Sequence, residues 1–371
     1  MLFSKNNTNN TEKTILVAPL DWGLGHAARC IPVIKELQNY PFKVIIAADG
    51  AVKTMLKQEF PQLQFIHLEG YKIKYGKNKR WFRFWLLIQF PKILSSIVKE
   101  HRWLNKVIKE LSVDAVISDN RFGLYHPSVP CVYITHQLFI KTGNPISDII
   151  ATNIHRKYIK NYTQCWIPDY DGKKNIAGAL SQAGSGLQNI TFIGCLSRFE
   201  RLSASENTVD LLIVLSGPEP QRSIFETLLI SQLKDYTGSV LFVRGLPGEK
   251  AELQSSDHGL PGKVVFKNHL NAADLNVAMQ TATLIISRSG YTTIMDLLKL
   301  GRKAILVPTP GQTEQEYLAD YLSAQHFFYS ITQEQFLLND AIAQAQKFPY
   351  QLPAFDMELY KNVIRQFAET L

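Results

Sequence analysis

The sequence predicts an α/β protein built as two units in series, each an open parallel sheet, with a cleft between them. Three observations predict it. The chain has 371 residues, more than one compact core normally supports. Short apolar runs rich in Val and Ile recur with helical segments between several of them, the pattern of strands buried on both faces of a parallel sheet. That series then begins again near Leu211.

The first unit opens with the apolar run Thr14 to Leu20, a Gly-containing turn, and a helix from about His26 to Tyr40 carrying Ile31, Ile34 and Leu37. Further strands are expected at Phe42 to Ala48, Gln64 to Leu68, Ala115 to Ser118 and Cys131 to Thr135. The second unit repeats the pattern with the run starting at Leu211, then Val240 to Val243, Val264 to Phe266, Leu284 to Ser287 and Ala304 to Val307. Between them, Asn189 to Ser205 holds a last apolar run, Thr191 to Gly194, and then polar residues suited to a linker. The expected domains are therefore residues 1–199 and 200–371, with the last helix, Phe355 to Leu371, able to return to the first. In open parallel sheets, ligands meet the loops at the C-terminal ends of strands, so function is sought there.

Composition narrows the classes. At 46% hydrophobic and 19% charged, the chain has enough apolar surface for two cores, which excludes global disorder. The opening, Met1 to Thr14, is polar and Asn-rich and lacks the apolar stretch of a secretory signal, so a cytoplasmic location is expected. Cys30, Cys131, Cys165 and Cys195 are scattered, with neither zinc spacing nor a disulfide framework, and read as packing residues.

The net charge of +8 suits nucleic acid, phosphorylated substrates or an anionic membrane alike. Its distribution is more telling: Tyr71 to Leu111 holds eleven basic residues against two acids, and Lys77 to Lys92 interleaves them with aromatics. That run is too short to cross a bilayer. It reads as an interfacial patch in which Arg80, Trp81, Phe82, Arg83 and Trp85 meet an anionic membrane, against the alternative of a core helix with one charged face. No nucleic-acid module is recognisable, and none is expected as partner.

The most informative stretch is Leu284-Ile-Ile-Ser-Arg-Ser-Gly290-Tyr-Thr-Thr-Ile-Met-Asp296-Leu-Leu-Lys-Leu-Gly301, followed by Ala304-Ile-Leu-Val-Pro308. It reads as strand, tight turn, helix, strand. Gly290 lets backbone approach a ligand, and the N–H groups of the following helix start, about Tyr291 to Ile294, form an anion site suited to a diphosphate. Arg288 adds charge there, and Asp296, two turns in, is placed for ribose hydroxyls. Taken alone, such a turn is no more than a helix start. A second Gly-rich loop, Asp21-Trp-Gly23-Leu-Gly25-His26, follows the first strand and opens the first helix, again with N–H donors toward the proposed cleft.

Together these residues resemble the MurG-like glycosyltransferases of the GT-B type, which join two Rossmann-like domains across a cleft and work at the cytoplasmic membrane face. The match rests on Ser287-Arg288-Ser289-Gly290, the carboxylate six residues after that glycine, the helix-ending Gly301 and Leu306-Val307-Pro308. It continues through Pro308-Thr-Pro-Gly-Gln312-Thr-Glu-Gln315-Glu316. The resemblance implies that the turn of Arg288, Ser289, Gly290, Tyr291 and Thr292 faces the donor diphosphate, that Asp296 holds a uridine ribose, and that Gln312, Gln315 and Glu316 hold the donor sugar. Asp296 stands where close relatives carry Glu, and Glu316 where the family has Gln. Arg198, in Gly194-Cys-Leu-Ser-Arg198, matches a family Gly-x-x-x-Arg element near donor phosphates; Ser216 and Gly217 take the place of a Gly-rich family loop, and His269 that of a base-pocket residue.

On the acceptor side the resemblance places Gly23, Gly25 and His26 at the same loop as in the family. A histidine neutral near pH 7 suits removal of the acceptor hydroxyl's proton, which makes His26 the first candidate base. Asp119, ending the strand Ala115 to Ser118, is the alternative base, an orienter of His26 or a turn cap. His136 and Gln137 are further cleft residues. The implied function is an inverting transfer from a UDP-sugar of UDP-GlcNAc type, the UDP-sugar being co-substrate, with no obligatory cofactor or metal. The acceptor class stays open among a sugar, a glycolipid and a lipid-linked sugar, with the enzyme peripheral at the inner face of the cytoplasmic membrane. The alternatives are a UDP-sugar 2-epimerase and a non-catalytic subunit that binds nucleotide-sugar or a partner.

Overall fold

The computed structural model describes residues 12–71, 79–172, 175–182, 186–202, 208–247, 249, 251–260 and 262–371; the side chains of residues 79–90 lie outside the description. In the first half, strands β1 (Lys13–Pro19), β2 (Phe42–Ala48), β3 (Gln64–His67), β4 (Val113–Asp119), β5 (Cys131–Ile134), β6 (Gln164–Ile167) and β7 (Ile190–Phe192) alternate with helices α1 (Leu24–Leu37), α2 (Gly50–Glu59), α3 (Lys79–Leu111) and α4 (Pro145–Ile159). The second half carries β8 (Val209–Val214), β9 (Val240–Val243), β10 (Val264–Lys267), β11 (Ala282–Ser287), β12 (Ala304–Leu306) and β13 (Tyr329–Ser330). Its helices are α5 (Gln221–Gln232), α6 (Ala272–Thr281), α7 (Tyr291–Leu300), α8 (Thr313–Ala324), α9 (Leu338–Lys347) and α10 (Leu359–Glu369).

Both sheets are parallel throughout, with strand orders β3-β2-β1-β4-β5-β6-β7 and β10-β9-β8-β11-β12-β13. The winding direction reverses between β1 and β4 and again between β8 and β11, which opens a crevice at the C-terminal ends of each pair. The continuous apolar runs follow from burial on both faces. Ile15 and Val17 of β1 pack into the cluster holding Ile31 and Ile34 of α1, while Leu16 and Ala18 point into the opposite one with Leu104 and Tyr133.

The two halves share a core at one end. Ile193, Cys195, Leu196 and Phe199, just after β7, belong to the same buried cluster as Ile294, Met295 and Leu298 of α7. Helix α10 adds Val363, Ile364 and Phe367 to that cluster, and Phe367 meets Trp166 of β6 edge-on, with ring centroids 5.4 Å apart. Phe355, just before α10, stacks on Tyr170 at 4.1 Å.

Two details differ from the sequence reading. Helix α1 begins at Leu24, ahead of His26, because Gly23, at φ 106°, serves as its N-cap, and it ends at Leu37, where the Tyr40 amide bonds back to the Leu37 carbonyl and turns the chain into β2. Strands β6 and β13 were not expected: β6, Gln-Cys-Trp-Ile, lacks the run of Val and Ile that marks the strands that were, and β13 is two residues long.

Candidate active site

Each crevice ends in a helix start, and the two starts face one another. The loop after β1 delivers Gly23, Gly25 and His26 to the beginning of α1; the turn after β11 delivers Gly290 to the beginning of α7. The Thr292 hydroxyl donates to the Gly25 carbonyl at 3.1 Å, and a Cβ on Gly25 would stand 3.2 Å from that hydroxyl oxygen, so a glycine lets the halves approach. A Cβ on Gly23 or Gly290 would meet nothing within 4 Å, so both border open space.

Neither helix has a side-chain cap, and neither has an acid in its first turn. Helix starts carry unpaired N–H groups and the positive end of the helix dipole, so two of them face to face favour an anion between them, each by about 0.3–1 kcal/mol or more where partly buried.

Beside α1 lies a bonded chain of charged groups. Asp119, at the end of β4, is fully buried: Arg29 Nε donates to its Oδ2 at 2.8 Å, Arg29 Nη2 donates to Oδ1, and the Cys30 thiol approaches Oδ2. Burial works to raise this carboxyl, but the Arg29 guanidinium and His26 outweigh it and hold it at about 2. Held by Arg29 and facing His26 Nδ1, this carboxylate is placed for the orienting role among those expected of it.

His26 Nδ1 sits 3.3 Å from Asp119 Oδ2 and 2.9 Å from Arg29 Nη2, with 16% of the side chain exposed. Because arginine has no acceptor, Nδ1 accepts from Arg29 when unprotonated and donates to Asp119 when protonated. The second tautomer leaves a lone pair on Nε2. Burial chiefly lowers the His26 pKa; Arg29 adds to this, while Asp119 opposes it.

Arg29 Nη1 also points at His136 Nδ1, 3.2 Å away. Nδ1 must accept, so Nε2–H donates across the cleft to Glu314 Oε1 at 2.7 Å, where Gln137 Nε2 also bonds the other carboxylate oxygen. The His136 ring lies parallel to Tyr291, the first residue of α7, with centroids 3.9 Å apart, and the Tyr291 hydroxyl donates to the Pro168 carbonyl at 2.6 Å. His136, Gln137 and Tyr291 therefore form an inter-half contact.

Several donor-side expectations change with the geometry. The Arg288 guanidinium is buried, donating to the carbonyls of Val307, Pro308 and Gln221 and to Gln333 Oε1, with its charge 4.2 Å over the Phe225 ring; burial lowers it to about 9. It ties the end of β11 to the loop after β12 and to the start of α5. Ser289 is buried too and donates to the Gln315 carbonyl at 2.8 Å. Gln315 accepts from the Thr309 amide at 3.0 Å and donates to Gln312 Oε1 at 2.5 Å, and Glu316 accepts from the Gly311 amide at 2.8 Å. These bonds from the three side chains brace the loop after β12.

Asp296 is buried, takes the Ser197 hydroxyl at 2.6 Å and lies 4.0 Å from Arg198 Nε; burial, only partly offset by Arg198, raises its carboxyl to about 6. The linker thus covers the carboxylate expected at the ribose. Arg198 also contributes to lowering half-buried His269, after burial itself, so Arg198, His269 and Asp296 do come together. Ser216 and Gly217 are exposed at the end of β8, Gly217 at φ 105°. A Cβ on Gly217 would approach Thr309 Oγ1 to 3.7 Å.

Sequence reasoning missed Arg29 and Glu314. Arg29 follows His26 by one helical turn, the spacing that puts both on one face. Glu314 had no such signal, since its partners lie 177 and 178 residues away. The side chains of Arg80, Trp81, Phe82, Arg83 and Trp85 fall outside the described residues, within α3.

Residues 247–359 match the glycosyltransferase family 28 C-terminal domain. The chain is 23% identical over 320 residues to an uncharacterized glycosyltransferase of Methanosarcina acetivorans, which is 79% of this chain and 79% of that protein. It is 22% identical over 311 residues to the UDP-N-acetylglucosamine--N-acetylmuramyl-(pentapeptide) pyrophosphoryl-undecaprenol N-acetylglucosamine transferase of Borreliella burgdorferi, 76% of this chain and 73% of that one. Among solved structures, MurG of Acinetobacter baumannii superposes with a TM-score of 0.54 at 16% identity, covering 97% of this chain and 100% of that one. The chain is a MurG-like glycosyltransferase. In GT-B terms, the half bearing β1 and α1 faces the half bearing β11 and α7, and the matched family segment lies wholly in the latter.

Proposed function

We propose that this MurG-like glycosyltransferase transfers a sugar, with inversion, from a UDP-sugar of UDP-GlcNAc type to a hydroxyl on a lipid-borne acceptor, working peripherally at the inner face of the cytoplasmic membrane. One observation carries the reading: two uncapped helix starts converge beside His26. The donor diphosphate lies against the α7 amides next to Gly290, with Arg198 and His269 toward the nucleoside. The name of the Borreliella relative supports the donor and the lipid-linked acceptor.

In the reaction, the acceptor oxygen forms a bond to the anomeric carbon from the face opposite the leaving group, and the bond to the diphosphate oxygen breaks. His26 Nε2 takes the acceptor proton while Nδ1–H donates to Asp119, which fixes the tautomer and stabilises the imidazolium that forms. Arg29 keeps Asp119 ionised. The α7 amides meet the charge that develops on the departing diphosphate without rearranging.

Thermal-shift measurements with UDP, GDP, TDP and their sugars test the nucleotide. UDP and UDP-GlcNAc are expected to raise the melting temperature most, since a ligand at a hundredfold excess over its Kd stabilises by about 2.7 kcal/mol. A larger shift with TDP or GDP, or none with any of them, would reject the donor.

A further inference from the structure

Helix α8 joins the two halves along one face. Its Thr313 hydroxyl donates to the Lys141 carbonyl at 2.5 Å, and Glu314 meets His136 at 2.7 Å and also Gln137. One turn on, the Tyr317 hydroxyl accepts from the Ala179 amide at 2.7 Å, and a turn further the Tyr321 hydroxyl donates to Asn175 Oδ1 at 2.9 Å. Thr313, Glu314, Tyr317 and Tyr321 fall on one side of the helix, and these partners lie in the segments that follow β5 and β6. The fit is close, because Gly178 has φ 57° and a Cβ there would collide with the Tyr317 hydroxyl.

The first turn of α8 also holds the donor side. Gln315 and Glu316 accept from the Thr309 and Gly311 amides of the loop after β12, and the Ser289 hydroxyl, next to Gly290, donates to the Gln315 carbonyl. Glu314 therefore stands between two sets of bonds, one to the loop expected at the donor sugar and one across the cleft. From Glu314 the bonds lead on to the candidate base. His136 Nδ1 accepts from Arg29, so its Nε2–H needs an acceptor, and Glu314 supplies it. Without Glu314 that N–H would be left unpaired in a buried ring stacked on Tyr291. Arg29 in turn holds Asp119 and His26 Nδ1. Burial works to raise the Glu314 carboxyl, but His136 first, then Arg29 and His26, outweigh it and hold it below its ordinary value.

We propose that α8 is a clasp across the cleft and that Glu314 is the positioning residue through which donor binding is passed on to His26. A donor sugar that fixes the loop after β12 fixes the first turn of α8, sets Glu314 against His136, and so holds Arg29 and His26 in register. The open and closed clasp are the two states, and a donor favours the closed one because both sides of the cleft then surround it. The proposal rests on the donor site of the sugar-transfer reading. Its bond to His136 needs an acceptor oxygen at Glu314 and not a charge, so Glu314→Ala should release the clasp and Glu314→Gln should keep it.

Hydrogen exchange read by mass spectrometry on the full chain, with and without UDP-GlcNAc, tests it. The Ala179 amide, bonded to Tyr317, is a reporter in the first half. In the wild type UDP-GlcNAc should slow exchange at the Gly290 turn and also, by about fivefold or more, in residues 136–141 and 175–182, the lower end of ordinary coupling between two sites. Glu314→Ala should keep the slowing at the turn and lose it in the first half, and Glu314→Gln should restore it. Wild-type slowing confined to the turn, first-half slowing that persists in Glu314→Ala, or its loss in both variants alike would overturn the clasp and leave the donor site standing. No slowing anywhere would reject the sugar-donor reading and the clasp with it.

Discussion

His26→Ala is expected to slow sugar transfer by about 10²–10⁴-fold while UDP affinity stays close to wild type. The reason is positional. His26 is the partly exposed member of the Asp119–Arg29–His26 cluster, while the Asp119 carboxylate behind it is buried. Removing the imidazole removes the proton acceptor but leaves the α7 amides in place.

The pH profile gives an independent check. Burial, reinforced by Arg29, pulls the imidazole below its ordinary value of 6.5, so at neutral pH it is unprotonated and competent as a base. As pH falls through the lowered value the base is protonated, and kcat/KM should decline on the acid side with a midpoint below 6.5. That limb should vanish in His26→Ala. Retained turnover in the variant, or an unchanged acid limb, would reject His26 as the base.

Gly290→Glu is expected to abolish donor binding, raising the donor KM by about 100-fold or more at an almost unchanged melting temperature. The backbone at Gly290 has φ −72° and ψ 136°, which any residue adopts, and a Cβ there meets nothing within 4 Å. A carboxylate at that point would occupy the anion site and repel a diphosphate by about 4 kcal/mol at 4 Å separation and an effective dielectric of 20. Gly290→Ala is the control and should bind UDP nearly as well as wild type. Normal donor kinetics in Gly290→Glu would place the diphosphate elsewhere.

The architecture was legible because its signals are local. Runs such as Thr14 to Leu20 and Leu284 to Ser287 are continuous and apolar since β1 and β11 are buried on both faces, and that pattern needs no knowledge of the partner strand. β6 escaped because Gln-Cys-Trp-Ile lacks such a run of Val and Ile; the sheet around it decides its conformation. At the site, both glycine turns could be read, because a helix start facing a crevice is written in consecutive residues.

What side chains do within those turns was less legible. Arg288 and Ser289 look like ligand groups in sequence, yet they bond to carbonyls of the loop after β12 and of helices α5 and α8, supplied by distant segments. Asp296 is covered by Ser197, which lies 99 residues earlier in the chain.

The central claim is that a nucleoside diphosphate sits with its phosphates on the α7 amides beside Gly290, between the two halves. Calorimetric titration of the wild-type protein with uridine, UMP and UDP tests it most directly, since these ligands differ only in phosphate. The predicted result is an affinity gain of at least about tenfold, or 1.4 kcal/mol, on going from UMP to UDP. Equal affinities for UMP and UDP would contradict it.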